Sequence, residues 1–210
     1  MTNIAHAVLA GSDLHEPKGI GSAAINTSYI ANGAGSGAWS LIPAAALSPG
    51  ANAFGGGLFH VREQQSSGVG STSPTTGSAW STRILNTVMT NDTGTPSLSA
   101  NQITLPAGTY WSQARAVHGA IPSAFTVVFR IKLRNITTSA DLVLGIGQEF
   151  FVSSGSGQMN IVSDLYGRFT LAGTSVIELQ QWCVNCNAGI ALGIPTTSEV
   201  YSDVMIWKTA

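Results

Sequence analysis

The sequence is short of charge. Charged side chains make up 9% of the 210 residues, and nine Lys and Arg against ten Asp and Glu leave a net charge of -1. An ordinary globular domain carries about a quarter charged residues. A nucleic-acid-binding protein needs clustered cations to displace counterions from phosphates, and this composition has no such excess. We therefore expect no nucleic-acid partner.

Long apolar runs are also missing. No stretch approaches the roughly 20 apolar residues of a membrane-spanning helix, so no membrane partner is expected. No basic residue precedes the short apolar patch at positions 7–10, which argues against a secretory signal peptide. The composition lacks the Ala, Glu, Lys, Leu and Arg richness of long helices, and its five Trp, four Tyr and seven Phe argue against disorder. These exclusions favour a weakly charged, β-rich protein.

Cysteine is scarce: Cys183 and Cys186 form a single C-x-x-C. This motif is compatible with redox chemistry, half a zinc site or two buried thiols. Thioredoxin-like chemistry needs a helix N-terminus, whereas the flanking residues indicate a strand and its exit. Zinc needs four ligands, and no second Cys pair exists. We expect two buried, dispensable thiols with no metal and no cofactor.

Glycine and charge divide the chain near residue 57. Residues 1–57 contain only three charged side chains and end in Gly55-Gly56-Gly57, a flexible joint or a tight crossing. Residues 58–210 contain the other sixteen charges and nearly all the strand-like patterning. We predict an N-terminal attachment module over 1–57 and a β domain over 58–210. The module is too small and glycine-rich to bury its own core, so we expect it to order against another protein.

The second region is patterned as antiparallel strands. In Phe125–Leu133, apolar residues occupy the odd positions and mostly polar residues the even ones, which predicts a sheet with one dry face. Further predicted strands are Leu58–Gln64, Ala79–Met89, Gln102–Leu105, Thr109–Val117, Leu142–Val152, Gln158–Ala172, Ser175–Cys183 and Glu199–Lys208. Short strands between Gly, Pro and Ser turns, without a convincing helix, indicate an all-β antiparallel sandwich or jelly roll.

Two motifs sharpen this prediction. Pro106-Ala-Gly108-Thr-Tyr110 is a turn followed by a strand that points into the sandwich, and Phe169–Leu179 is a strand–Gly–strand hairpin. Together with the apolar last strand, they resemble the complement-type and tumour-necrosis-factor-type jelly roll, which implies a tight homotrimer. The segments Leu58–Arg62, Ala79–Val88 and Ile103–Trp111 also resemble C-terminal domains of tailed-bacteriophage virion proteins. Two N-terminal segments, His15–Gly19 and Tyr29–Trp39, resemble the attachment ends of the same proteins.

The resemblance implies two sets of contact residues. Those expected to attach residues 1–57 to a major capsid protein or another virion protein are Asp13, Leu14, His15, Glu16, Lys18, Tyr29 and Trp39. Those expected at the trimer interface are Tyr110, Trp182, Met205 and Trp207. A homotrimer is also favoured by the low charge and by the last strand, which is apolar on both faces at residues 204–207, since a lone sandwich needs one polar face per strand.

Catalytic motifs are not found. There is no H-E-x-x-H, G-x-S-x-G or P-loop lysine, and His6, His60 and His118 are isolated. The cationic row Arg130, Lys132 and Arg134 is compatible with an anionic glycan or lipid, or with a solvated face or an ion-pair ladder between subunits.

Three functions compete at this stage. The first is a non-enzymatic trimeric capsid decoration or head-fibre protein on the virion surface, assembled in the bacterial host cytoplasm. The second is a tail-fibre tip that binds a host surface glycan through loops 66–78 and 187–198. The third is a glycan-cleaving enzyme, which would need two facing carboxylates.

Overall fold

The structure is a computed structural model of the chain. It describes residues 28–31, 37–41, 57–73, 79–120, 125–152, 159–187, 189–191, 193 and 198–209. Within these ranges all regular structure is β-strand, and no helix is long and apolar enough to cross a lipid bilayer.

Fifteen strands lie in the described ranges. In chain order they are β1 Ser28–Ala31, β2 Gly37–Ser40, β3 Leu58–Gln65, β4 Trp80–Thr82, β5 Thr87–Asn91, β6 Ser97–Ser99, β7 Gln102–Leu105, β8 Gly108–Ala120, β9 Phe125–Asn135, β10 Ala140–Leu144, β11 Gln148–Val152, β12 Met159–Leu171, β13 Ser175–Val184, β14 Cys186–Asn187 and β15 Glu199–Lys208.

The chain divides into two compact units, Met1–Ala51 and Asn52–Ala210. In the first unit, β1 and β2 pair as an antiparallel hairpin, with Tyr29 opposite Trp39. The turn signals Asn32-Gly33 and Gly35-Ser36-Gly37 separate the two strands in the sequence.

The second unit is a sandwich of two antiparallel sheets. One has six strands in the order β12-β8-β15-β3-β5, with β14 also paired to β8. The other has seven strands in the order β10-β9-β13-β7-β6, with β11 paired to β9 and β4 to β13. From β8 to β15 the long strands β8, β9, β12, β13 and β15 alternate between the two sheets, and β3 pairs with the last strand, β15. This connectivity is that of a jelly roll, as the sequence predicted.

The alternation predicted for Phe125–Leu133 is confirmed in β9. The odd-numbered side chains from Val127 to Leu133 are at most 1% exposed and face the other sheet. The main core also takes inward residues from both sheets, including Phe59, Val61, Ile103, Leu105, Ala114, Ala116, Leu165, Ile177, Leu179, Val204 and Ile206. A smaller cluster around Phe129, Val127 and the two cysteines fills one end of the sandwich.

The turn predicted at Pro106–Tyr110 leads into β8. Gly108 has a φ of 153°, a value that side chains with a Cβ avoid. Tyr110 then points inward, stacks on Phe169 with ring centroids 5.5 Å apart, and donates a hydrogen bond from its hydroxyl to the Pro106 carbonyl at 2.8 Å. Burial raises the pKa of the Tyr110 phenol.

Candidate functional site

In the part of the chain that the structure describes, the outer face of the six-stranded sheet carries several large, partly exposed side chains. We call this surface the aromatic face. Its outward residues are Leu58, His60 and Arg62 on β3, Trp111, Gln113, Arg115 and Val117 on β8, Val162, Asp164, Tyr166 and Arg168 on β12, and Asp203, Met205 and Trp207 on β15.

Aromatic side chains lie in the middle of this face. Trp111 of β8 is directly opposite Trp207 of β15, and Met205 is opposite Gln113. Trp111 is 39% exposed, Tyr166 49% and Val162 42%. Large apolar side chains exposed together on one face mark an interaction surface, because each loses unfavourable contact with water when a partner covers it.

Both carboxylates of the aromatic face are paired with cationic side chains of the same chain. Asp203 accepts a hydrogen bond from Arg62 at 3.2 Å and lies in close contact with His60. Arg115 Nε is 2.7 Å from Asp164 Oδ1, and a hydrogen bond to Tyr166, followed by the charge of Asp164, raises the pKa of Arg115. Paired charges lose less hydration energy when covered than isolated charges do, so this face can be buried as it stands.

A second exposed apolar group lies at the β10–β11 border of the seven-stranded sheet. We call it the apolar edge. Its residues are Leu144, Ile146, Phe150 and Phe151, which are between 38% and 66% exposed. The chain therefore offers two different apolar surfaces, one in the middle of a sheet and one at the border of the other.

The cationic row on the other outer face is held by its own chain. Lys132 Nζ is 2.9 Å from Asp141 and lies 4.1 Å from the ring centre of Trp80, while Arg134 reaches the same carboxylate at 2.8 Å. Arg130 donates from Nε to the Gly145 carbonyl at 2.6 Å. Of the interpretations that the sequence left open, these contacts favour a row of ion pairs. The ion pairs form within a single chain and not between subunits.

The four residues predicted for the trimer interface do not form one surface. Met205 and Trp207 lie on the aromatic face. Trp182 lies on the opposite face, in a shallow groove with Trp80 and Val128. Tyr110 is 2% exposed and packs in the core of its own chain, so in the single chain it offers almost no surface to a neighbouring subunit.

The predicted attachment residues fall mostly outside the described ranges. Asp13, Leu14, His15, Glu16 and Lys18 lie there entirely. For Tyr29 and Trp39 the structure describes only the backbone, which places them opposite each other in the β1–β2 hairpin.

A buried ion pair that the sequence did not reveal joins the two sheets. The side chains of Arg83 and Glu63 are both fully buried, with 3.3 Å between Nη2 and Oε2. Arg83 also donates to the Ser202 hydroxyl, the Gln181 side chain and the carbonyls of Val117 and Tyr201. Burial, opposed by the charge of Glu63, lowers the pKa of Arg83 to about 10. The hydrogen-bonding groups of this ion pair are occupied by partners within the chain, which indicates a structural role. No local sequence motif predicts such a pairing of charges that are distant in the chain.

The two loops proposed as a receptor surface meet at Glu199. Its Oε1 accepts hydrogen bonds from the backbone of Gly68 at 2.9 Å and of Gly193 at 2.7 Å. The Ser71 amide also donates to the Gly189 carbonyl at 3.3 Å. One carboxylate therefore places parts of both loops side by side at one end of the sandwich.

The C-x-x-C connects the two sheets. Cys183 ends β13 in the seven-stranded sheet, and Cys186 begins β14 beside β8 in the six-stranded sheet. Asn185 between them has a φ of 59°, a conformation that Asn tolerates, and the cysteine Cα atoms are 6.0 Å apart. The strand-end position and burial were predicted correctly. The prediction of free thiols was wrong, because the two sulfurs are joined as a disulfide.

His118 is buried against this pair. Its ring stacks on Phe129 with centroids 4.7 Å apart, and burial, with a further contribution from the charge of Arg83, lowers the pKa of His118 to about 3. The imidazole is therefore neutral in the folded chain at neutral pH. The sequence analysis found His118 isolated from other candidate residues. His118 nevertheless shares the inward-facing alternation of Tyr110, Ala114 and Ala116 on β8, and that alternation could have predicted its burial.

Comparison with known proteins yields structural likeness alone. No protein-family model matches the sequence, and no curated protein matches it. Solved structures that match include murine APRIL at pH 5.0, with 12% identity, a TM-score of 0.44, and coverage of 72% of this chain and 98% of that chain. They also include the globular domain of a zebrafish complement 1qA protein, with 12% identity, a TM-score of 0.39, and coverage of 73% and 96%. Identities and TM-scores this low assign no family and no function, so the jelly-roll assignment depends on the strand order itself.

Proposed function

We propose that this chain is a non-enzymatic structural subunit that assembles as a homotrimer through the aromatic face. The observation that carries the proposal is the pair Trp111 and Trp207 on the adjacent middle strands β8 and β15, together with the exposed Tyr166 and Val162 on the neighbouring edge strand β12. The low overall charge supports it, because a chain with 9% charged residues has little charged surface to keep its subunits apart.

The two apolar surfaces favour a ring. In a cyclic trimer each subunit uses two different patches, one for each neighbour, whereas a two-fold dimer uses one patch twice. The aromatic face and the apolar edge are two such patches, on different sheets of the same sandwich. In the proposed arrangement, the edge of one subunit covers the aromatic face of the next around a three-fold axis.

Sedimentation of the full chain tests the trimer. We expect a species of three times 21.7 kDa at micromolar concentration. Trp111→Lys should dissociate it, because a lysine at the centre of the face cannot be buried without a partner for its charge. Val69→Lys is the matched control: Val69 is 43% exposed in a loop outside both surfaces, and its replacement should leave the trimer intact. A stable monomer of the unmodified chain contradicts the proposal.

The finer proposal is that this trimer decorates a tailed-phage virion as a capsid decoration or head-fibre protein. Its support is the sequence resemblance of Leu58–Arg62, Ala79–Val88 and Ile103–Trp111 to phage virion domains, and of His15–Gly19 and Tyr29–Trp39 to their attachment ends. Residues 1–57, low in charge and rich in glycine, would hold a major capsid protein or another virion protein, with the jelly roll projecting outward.

Immunolabelling of virions, combined with a truncation, tests this role. We expect many copies on the head, and a chain lacking residues 1–57 should still form trimers but no longer bind particles. Full occupancy by the truncated chain would place the attachment site in the jelly roll instead.

A second candidate function is a tail-fibre tip that binds a host surface glycan. The observation that favours it is the junction of both candidate loops at Glu199, which gathers them at one end of the sandwich. A few labelled copies on the tail, together with saturable binding to host polysaccharide, would favour this function over decoration.

A further inference from the structure

Three metal-ligating side chains meet at the end of the sandwich. The sulfurs of Cys183 and Cys186 and a ring nitrogen of His118 all lie within 4.8 Å of one another, and all three residues are buried. They come from different strands: β13, β14 and β8. Among the described residues no fourth His, Cys, Asp or Glu joins this group.

The hydrogen bonds of His118 leave one nitrogen without a partner. Nε2 is 2.8 Å from the Ser163 hydroxyl, and that hydroxyl lies 3.5 Å from the Ala116 carbonyl, which can only accept. With the Ser163 proton directed to the Ala116 carbonyl, the hydroxyl oxygen accepts a hydrogen bond from Nε2–H of His118, and this is the tautomer that a metal site at Nδ1 requires. The remaining nitrogen, Nδ1, therefore bears a lone pair, and it has no hydrogen-bond partner among the described residues.

A buried lone pair without a donor is costly, since it loses its hydrogen bond to water and gains nothing in return. The arrangement around it is the one that metal-binding histidines adopt: one ring nitrogen donates to a protein acceptor, which fixes the ring, and the other is free to coordinate. In His118 the acceptor is Ser163, itself fully buried.

We propose that, when Cys183 and Cys186 are thiols, their sulfurs and Nδ1 of His118 bind one Zn²⁺ ion inside the jelly roll. As the ion binds, each thiol releases its proton to solvent and forms a sulfur–zinc bond, so no oxidant or reductant takes part. A water molecule completes the four ligands that zinc requires.

Charge and distance favour zinc at this place. Two thiolates and a neutral imidazole carry two negative charges, which a divalent ion cancels, whereas Cu⁺ would leave one negative charge buried. Zinc–sulfur bonds of about 2.3 Å and zinc–nitrogen bonds of about 2.0 Å separate tetrahedral ligand atoms by about 3.5–3.8 Å. The two sulfurs and one ring nitrogen of His118 already lie within 4.8 Å of one another, so once the sulfurs are no longer bonded to each other, side-chain rotation can bring the ligand atoms to these separations.

The site would join the two sheets in the reduced chain as the disulfide joins them in the oxidised one. Cys183 belongs to the seven-stranded sheet, and Cys186 and His118 belong to the six-stranded sheet. An ion held by all three would therefore cross-link the end of the sandwich where the smaller apolar cluster lies.

The test is metal analysis of the full chain, purified with a phosphine reductant and without chelators. We expect about one zinc per chain, and Co²⁺ exchanged into the site should show sulfur-to-cobalt charge-transfer absorption. Cys183→Ser with Cys186→Ser should abolish zinc binding and that absorption. His118→Ala should weaken zinc binding by at least the 10- to 100-fold that loss of an outer partner causes. His60→Ala, which removes a histidine far from the cluster, should bind zinc normally.

Several results would overturn the proposal. The first is a reduced chain, with both thiols confirmed by titration, that binds neither zinc nor cobalt or that binds Cu⁺ alone. The second is zinc retained by the double serine variant. The third is an unchanged zinc affinity in His118→Ala. A disulfide that resists excess phosphine in the folded chain would overturn it as well. Circular dichroism of each variant separates loss of the ligand from loss of the fold, because a folded variant must still show the all-β spectrum.

Discussion

The outer faces of the two sheets follow the same alternation of residues but differ in how far their side chains are engaged by contacts within the chain. On the seven-stranded sheet, Lys132 and Arg134 share Asp141, and Lys132 covers Trp80, so the row is closed by contacts within the chain. On the six-stranded sheet, Asp203 and Asp164 pair with the nearby cations, while Trp111 and Tyr166 remain exposed. The comparison shows that a row of charged side chains can bind another molecule only to the extent that the row is not already engaged by contacts within its own chain.

The largest expected effect comes from the buried pair between the two sheets, whose loss would disturb both outer faces together. Arg83→Met leaves Glu63 buried without its cation, and we expect it to lower the free energy of unfolding by about 3–5 kcal/mol. Urea denaturation measures this. Combining Arg83→Met with Glu63→Gln should destabilise less than the single change, since no unpaired charge remains. An additive double variant would mean that the two charges do not interact.

A matched pair of substitutions separates the two faces. Asp203→Asn leaves His60 and Arg62 without their anion on the aromatic face, and we expect weaker trimer association at unchanged fold. Asp141→Asn does the same to Lys132 and Arg134 on the other face, and should leave the oligomeric state unchanged. Sedimentation over a concentration series measures both. Equal loss of association in the two variants would show that both faces lie at interfaces.

The smallest expected effect is a dependence on pH. Hydrogen bonding to Lys132, followed by that to Arg134, holds the pKa of Asp141 below its usual 3.8. A depressed pKa in the folded chain adds stability that is present above the unfolded value and is lost as pH falls through the folded value. Asp141→Asn should therefore be less stable than the unmodified chain at pH 6, and the difference should shrink below pH 4. Asp141 is 45% exposed, so solvent screening keeps the effect small. A difference that grows on acidification would contradict this.

Local patterning accounted for most of the sandwich. The two-residue alternation of β9, the Pro106–Tyr110 turn and the position of Cys183 at a strand end could all be derived from neighbouring residues. These local features led to the prediction of an all-β jelly roll. They can be found in the sequence because strand alternation and turns are determined by residues within a few positions of one another. The interface roles of Tyr110 and Trp182 stay predictions, because sequence shows that a residue is large and apolar but not which sheet or face receives it.

The sequence by itself determined the low charge, the strands and their turns, and its division of the chain near residue 57 stays a prediction. The tertiary structure alone decided which residues meet across long separations. It paired Arg83 with Glu63, placed His118 beside the C-x-x-C, and joined two loops at Glu199. The physical reason is that strand formation depends on local periodicity, whereas a jelly roll brings together side chains from distant strands, and the chemistry of these sites arises only from those long-range contacts.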